Sequence, residues 1–179
     1  MVERVAAWLI SAMLTWSPPI TKSPVEQARY EAIAKDFATV AMDASEKPAF
    51  EGEDGRAKTA LLMAAIASFE SGYRADVDDG RTRGDHGSSW CLMQIRIIGK
   101  TLEGYTGEDL TKDRTKCFRV ALRIIRTSFA WCKERSIEDR LGAYTTGTCK
   151  ENEPLSRNRF GRARAYWKDH PLDLTSEIK

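Results

Sequence analysis

Between Lys58 and Phe69 the chain runs Lys-Thr-Ala-Leu-Leu-Met-Ala-Ala-Ile-Ala-Ser-Phe, and this segment constrains the fold more than any other. Leu62, Ile66 and Phe69 recur at helical spacing with alanines between them, which predicts a helix packed closely by its neighbours in a buried position. Glu70 follows Ile66 by four positions and therefore projects from the side that carries the core stripe. A carboxyl group there is partly desolvated, which raises its pKa and favours the neutral acid.

Other segments add helices around this one. Ser23-Pro24-Val25-Glu26 has the form of an N-cap, a proline in the first turn and an early acid. Apolar positions at Ala32, Ile33, Phe37, Val40 and Ala41 carry that helix to about Ala44. Residues 45–55 hold Pro48, two glycines and four acids and read as a loop. Arg114 to Lys133 is a long helix, apolar on two sides (Val120, Ala121, Ile124 and Ser128; Phe118, Leu122, Ile125 and Phe129), and is expected to be central. Ser136 is expected to cap a shorter helix through Tyr144, and Ser156 to start the last one, which ends near His170. Gly72 to Ser89, with four glycines and four aspartates, reads as a loop outside the core. Cys91 to Ile98 reads as a short apolar strand and Gly99 to Asp113 as another loop. The fold class expected is mainly α, or α+β, with helices around a central buried helix and a small β region lining a cleft.

A length of 179 residues is enough for one domain with its own core, and 42% apolar against 30% charged residues is a globular balance. Residues 1–22 form an apolar segment, Val5 to Trp16 being too short to span a bilayer. It is either a signal-like stretch or a helix docked on the domain or on a partner protein, with residues 23–179 as the domain proper. Residues 156–168 carry four arginines, one lysine and no acid, interleaved with Phe160, Tyr166 and Trp167. That pattern suits an anionic polymer or a solvated helix face with its aromatics on the core. Four cysteines fit two disulfides and an oxidising compartment, or four thiols in a reduced one. Cys117 and Cys132 lie on one helix roughly 22 Å apart, beyond the reach of a bridge. The pairings left are Cys91–Cys117 with Cys132–Cys149, or Cys91–Cys132 with Cys117–Cys149. No Cys-x-x-Cys spacing points to a metal, and no cofactor is expected.

Chemistry concentrates between Glu70 and Ile95. Asp85 stands fifteen residues after Glu70, in Gly84-Asp85-His86-Gly87, ahead of Leu92-Met93-Gln94-Ile95. An acid at a helix end and a second carboxylate beyond a loop can flank a glycosidic bond from opposite walls of a cleft. Each residue also has a plainer reading: Glu70 paired with an arginine such as Arg74, Asp85 as a turn residue, Gln94 as a satisfied core amide.

Glu70-Ser71, Leu92-Met93-Gln94-Ile95 and Ala143-Tyr144-Thr145-Thr146-Gly147, in this order, resemble the lysozyme-like peptidoglycan cleavers, in particular the lytic transglycosylase and goose-type lysozyme branch. The resemblance spans about residues 60–147. It implies cleavage of the β-1,4 bond between N-acetylmuramic acid and N-acetylglucosamine, with Glu70 as catalytic acid and Asp85 activating water. Ser71, Met93, Gln94, Tyr144 and Thr145 would contact the glycan or position Glu70. Three positions depart from the pattern: Cys91 replaces a glycine, Arg96 stands where a second aspartate is common, and Thr145 replaces an asparagine. The implied partner is a glycan strand and not nucleic acid. The implied location is the periplasm, the outer cell wall or a phage virion, and the rival expectation is a non-enzymatic wall or virion protein of the same fold.

Overall fold

A computed structural model describes residues 1–172, so the last seven residues of the expected 23–179 domain, 173–179, lie outside the described residues. Eight α-helices appear among the described residues: α1 (Val2–Trp16), α2 (Pro24–Met42), α3 (Gly55–Glu70), α4 (Ala75–Asp78), α5 (Gly107–Lys112), α6 (Arg114–Trp131), α7 (Gly142–Thr146) and α8 (Pro154–Asp169). Two short antiparallel strands, β1 (Ser89–Trp90) and β2 (Ile95–Arg96), form a hairpin in which Trp90 faces Ile95.

The helix at the centre is α3 rather than α6. Every residue from Thr59 to Ser68 is buried, and α1, α2, α6 and α8 all touch it. Alanine at so many positions lets four helices approach it closely, which a helix of large side chains would prevent. By contrast, α6 keeps Arg123, Ile124, Thr127, Ala130 and Trp131 exposed and packs its buried side chiefly against α2, α5 and α7. Phe37 of α2 stacks on Phe118 of α6 with ring centroids 3.8 Å apart. At the end of α3 the expected stripe fails, for Phe69 is 38% exposed and lies beneath the Arg162 guanidinium, 3.8 Å from it.

The N-terminal apolar segment is a helix docked on the body of the protein. Val5, Leu9, Ala12 and Met13 of α1 are fully buried in the same core as α3, and each large side chain among them contributes about 1.5–3 kcal/mol. Trp8 donates its indole N–H to the His170 carbonyl at 2.8 Å and packs edge-on to Trp167, while Trp16 meets Tyr166. Tyr166 and Trp167 of the aromatic stripe of α8 therefore meet α1, while Phe160 packs on Phe50. No helix among the described residues is long and apolar enough to cross a membrane.

Four local expectations are corrected. Cys91 to Ile98 is not a strand: residues 91–94 turn the chain between β1 and β2, with φ of +57° at Cys91 and +47° at Gln94. The segment 72–89 is not wholly outside the core, since Tyr73 is fully buried and donates its hydroxyl to the Ala64 carbonyl at 2.7 Å. Asp78 in the same segment is buried against Arg114, which also holds Asp36 of α2. Residues 99–113 contain α5, started by a reciprocal cap between Thr106 and Asp109. Gly107 opens that helix against the Trp90 ring, where a Cβ would lie 2.0 Å from the indole. Finally, Ser136 precedes only a 3-10 turn, Ile137–Asp139, and α8 begins at Pro154 with Glu153 as its cap. Ser156 is instead a buried residue that donates to the Glu138 carbonyl.

Both disulfides form, Cys91–Cys117 and Cys132–Cys149, with Cα separations of 6.4 and 5.3 Å. They select the first of the two pairings and fit an oxidising compartment. Cys91 occupies its left-handed conformation while bonded to α6, so the bridge anchors the hairpin turn to the helix behind it. Replacing Cys91 and Cys117 together by serine is expected to cost about 3 kcal/mol, from the loop the bridge closes. Urea unfolding monitored by circular dichroism measures this, and a loss below about 1 kcal/mol would show that the bridge constrains little.

Candidate active site

The residues named from sequence converge from four parts of the chain. Glu70 is the last residue of α3. Ser71 stops the helix there: its hydroxyl donates to the Ala67 carbonyl at 2.9 Å and accepts the Tyr73 N–H at 3.2 Å. Both functions of Ser71 are thus spent inside the protein, and Gly72 follows at φ +58° to reverse the chain. This turn fixes where the Glu70 side chain leaves the helix.

The hairpin supplies the second wall. Gln94 accepts the Gly84 N–H at 3.1 Å and donates to the Cys91 carbonyl at 3.0 Å, so it braces both the turn and the loop before β1. Met93 is fully buried, and its carbonyl accepts the Tyr144 hydroxyl at 2.8 Å. Tyr144 reaches it because Ser128, buried on α6, accepts the Tyr144 N–H at 3.0 Å and donates to the Arg140 carbonyl at 2.7 Å. Thr145 turns its hydroxyl back onto the carbonyls of Leu141 and Gly142 within α7. Asp85 lies in a 3-10 turn at φ +47° and accepts the Ser89 hydroxyl at 2.6 Å. A left-handed aspartate costs little because its short side chain bonds locally, as here.

Arg159 of α8 is the member that sequence reasoning missed. It is 8% exposed, its Nε donates to Oε1 of Glu70 at 3.0 Å, and its Nη2 makes an ion-pair contact with the same oxygen at 2.8 Å. Arg74, the partner considered from sequence, pairs with Asp76 instead. The basic run of α8 is largely consumed in this way: Arg157 meets Asp139, Arg162 donates to the Ser68 hydroxyl and Arg164 meets Glu138. That disfavours the run as a polymer-binding patch.

Three influences act on the Glu70 carboxyl. Burial raises its pKa and is the largest, the Arg159 guanidinium lowers it, and the charge of Asp85 raises it. The net result lies above the ordinary value of 4.5. The Tyr144 hydroxyl is held well above its ordinary range, first by burial and then by the charge of Glu70. Glu70, Asp85, Tyr144 and Arg159 therefore share one electrostatic neighbourhood, with an acid biased toward neutrality beside a second, more exposed carboxylate.

A cavity of about 300 Å³ sits elsewhere, between the first half of α3 and α8, lined by Leu61, Leu62, Phe160 and Trp167. Another of about 320 Å³ lies between β2 and α6. Neither is lined by Glu70, Asp85, Gln94 or Tyr144. Among the described residues no cluster of three His, Cys, Asp or Glu is arranged to hold a metal ion. No protein-family model, curated protein or solved structure matches the chain.

Proposed function

We propose that the chain is a peptidoglycan-cleaving glycosidase of the lysozyme-like kind, acting on the β-1,4 bond between N-acetylmuramic acid and N-acetylglucosamine. The observation that carries this reading is Glu70: a carboxyl group at the end of the central helix, its side chain 20% exposed, with a pKa raised by burial. Burial favours the protonated form of such a group, which can pass its proton to a leaving oxygen. The order of Glu-Ser, Leu-Met-Gln-Ile and Ala-Tyr along the chain adds the substrate class by resemblance. The two disulfides suit work in the periplasm or at the cell surface, whether the protein is bacterial or carried by a phage.

Two mechanisms follow from the same acid. In inverting hydrolysis Glu70 protonates the glycosidic oxygen while Asp85 takes a proton from the attacking water. In lytic transglycosylation Glu70 acts alone, first as acid and then as base. The C6 hydroxyl of the muramic acid attacks C1, gives its proton back to Glu70 and closes a 1,6-anhydro ring. The Asp85 carboxylate is near enough to act on Glu70 electrostatically, which supports the first; Arg96 and Thr145 support the second.

Digestion of purified sacculi separates these by mass, since an anhydro product is lighter by one water. Hydrolysis is expected to depend on Asp85, so Asp85→Asn should lower release by about 10²-fold or more. Full activity in that variant removes the two-carboxylate mechanism. One observation favours a second reading, that of a wall or virion protein without turnover: Arg159 already satisfies Glu70 as a structural ion pair. Wild-type protein that releases nothing between about pH 4 and pH 8 decides for it.

A further inference from the structure

Glu70 has two oxygens, and the fold treats them differently. Oε1 accepts the Nε–H of Arg159 and lies 2.8 Å from its Nη2 as an ion pair. Among the described residues Oε2 accepts no hydrogen bond, yet it is not a buried unpartnered atom, so it reaches solvent. Arg159 is itself anchored, because its third nitrogen, Nη1, donates to the Leu155 carbonyl at 2.9 Å one turn earlier on α8. With the guanidinium nearly excluded from water and held at both ends, the direction from which it meets the carboxyl is set by α8.

We propose that Arg159 is the positioning residue of this site: it binds Oε1, sets the plane of the Glu70 carboxyl and reserves Oε2 as the oxygen that exchanges the proton. This rests on the catalytic reading of Glu70. When Glu70 is protonated, the O–H is on Oε2 and the carbonyl-like Oε1 keeps the Nε–H bond and the guanidinium contact. As the Oε2–H bond breaks, the glycosidic oxygen gains the proton and the C1–O bond opens. The resulting carboxylate charge is met by Arg159 without any rearrangement. As water or the C6 hydroxyl bonds to C1, its proton returns to Oε2. A carboxyl that is only buried would release its proton reluctantly, whereas one held by Arg159 can pass it both ways.

The groups facing Glu70 are Arg159 from α8, Asp85 from the turn before β1 and Tyr144 from α7; Arg162, next along α8, is turned onto Phe69. Of these, only Arg159 favours the ionised form. Carbon-13 NMR titration of the Glu70 side-chain carboxyl in the purified protein reads this directly and needs no turnover. Arg159→Gln is expected to move the Glu70 midpoint upward by about one pH unit or more, a tenfold change in proton affinity. Arg159→Lys, which restores a charge without the planar fork, should recover part of that shift but only part of the fragment release from sacculi. The alkaline limb of the release profile in Arg159→Gln should follow the NMR midpoint. An unchanged midpoint in both variants overturns the assignment. A shifted midpoint, with wild-type protein that releases no fragments, overturns the catalytic reading instead and reduces the pair to a structural ion pair. If the glutamine variant does not fold, the lysine variant decides: wild-type titration together with wild-type release would show that no specific geometry at Oε1 is needed.

Discussion

Replacing Glu70 by glutamine is expected to lower the proposed release of soluble fragments from sacculi by about 10²–10⁴-fold, the contribution of a positioned general acid. The amide has the shape of the acid and its oxygen still accepts from Arg159, but it has no proton to give. Folding should survive, with a loss of about 1–2 kcal/mol for weakening a charge-assisted hydrogen bond. Circular dichroism at 25 °C should therefore match wild type while activity is gone. The pH dependence carries its own sign. Because the Glu70 pKa is raised in the fold, activity that needs the protonated form falls as pH rises through that raised value. The stability linked to Glu70 runs the same way: it is present below the ordinary value of 4.5 and is given up as pH rises through the folded value. Glu70→Gln should lose both dependences. Undiminished release would remove Glu70 from the chemistry.

The largest loss of stability is expected at Asp139. This carboxylate is 1% exposed and accepts five hydrogen bonds. Arg157 supplies two at 2.8 Å each, the Ser136 hydroxyl one at 2.9 Å, and the N–H groups of Asn152 and Glu153 one each at 3.1 Å. Together they fasten the 3-10 turn to the start of α8. Asp139→Ala removes the acceptor of all five bonds, and because Arg157 is 43% exposed and can turn to water, the expected cost is that of the lost bonds, about 3–5 kcal/mol. In a domain of this size that lowers the melting temperature by roughly 6–20 °C. The Arg157 bonds hold the Asp139 pKa far below its ordinary value of 3.8. The stabilisation is thus complete above that value and is lost as pH falls through the lowered one, so the deficit of the variant should shrink in strong acid. A melting temperature within about 2 °C of wild type would show that the five bonds are dispensable.

Helices whose signals are local were legible in the sequence. The Ser23 side chain does accept the Glu26 N–H at the start of α2. The run from Lys58 ends on Glu70, as its periodicity implied. The hairpin was hidden because the residues at its left-handed positions, Cys91 and Gln94, are not glycine or asparagine, and Cys-Leu-Met-Gln reads as apolar strand. Only the bond to Cys117 explains why a cysteine holds that place. The helix α5 has a single buried aliphatic side chain, Leu110, and so offers no periodicity. Its Thr106-x-x-Asp109 cap was the signal available. Within the site, Glu70, Gln94 and Tyr144 could be named from their motifs, but Arg159 could not. Among several arginines on α8, nothing in the local pattern says which one the packing of α3 against α8 will turn toward Glu70.

That pairing also has a direction in time. Arg159 is made 89 residues after Glu70, which at about 5–20 residues per second is a delay of roughly 4–18 s during synthesis. In the later part of that interval a growing chain can already possess α3 and the hairpin, but its acid has no guanidinium to meet it. Completion of the site therefore waits until α8 has been made and docks, and a truncated product lacking that helix carries Glu70 without its partner.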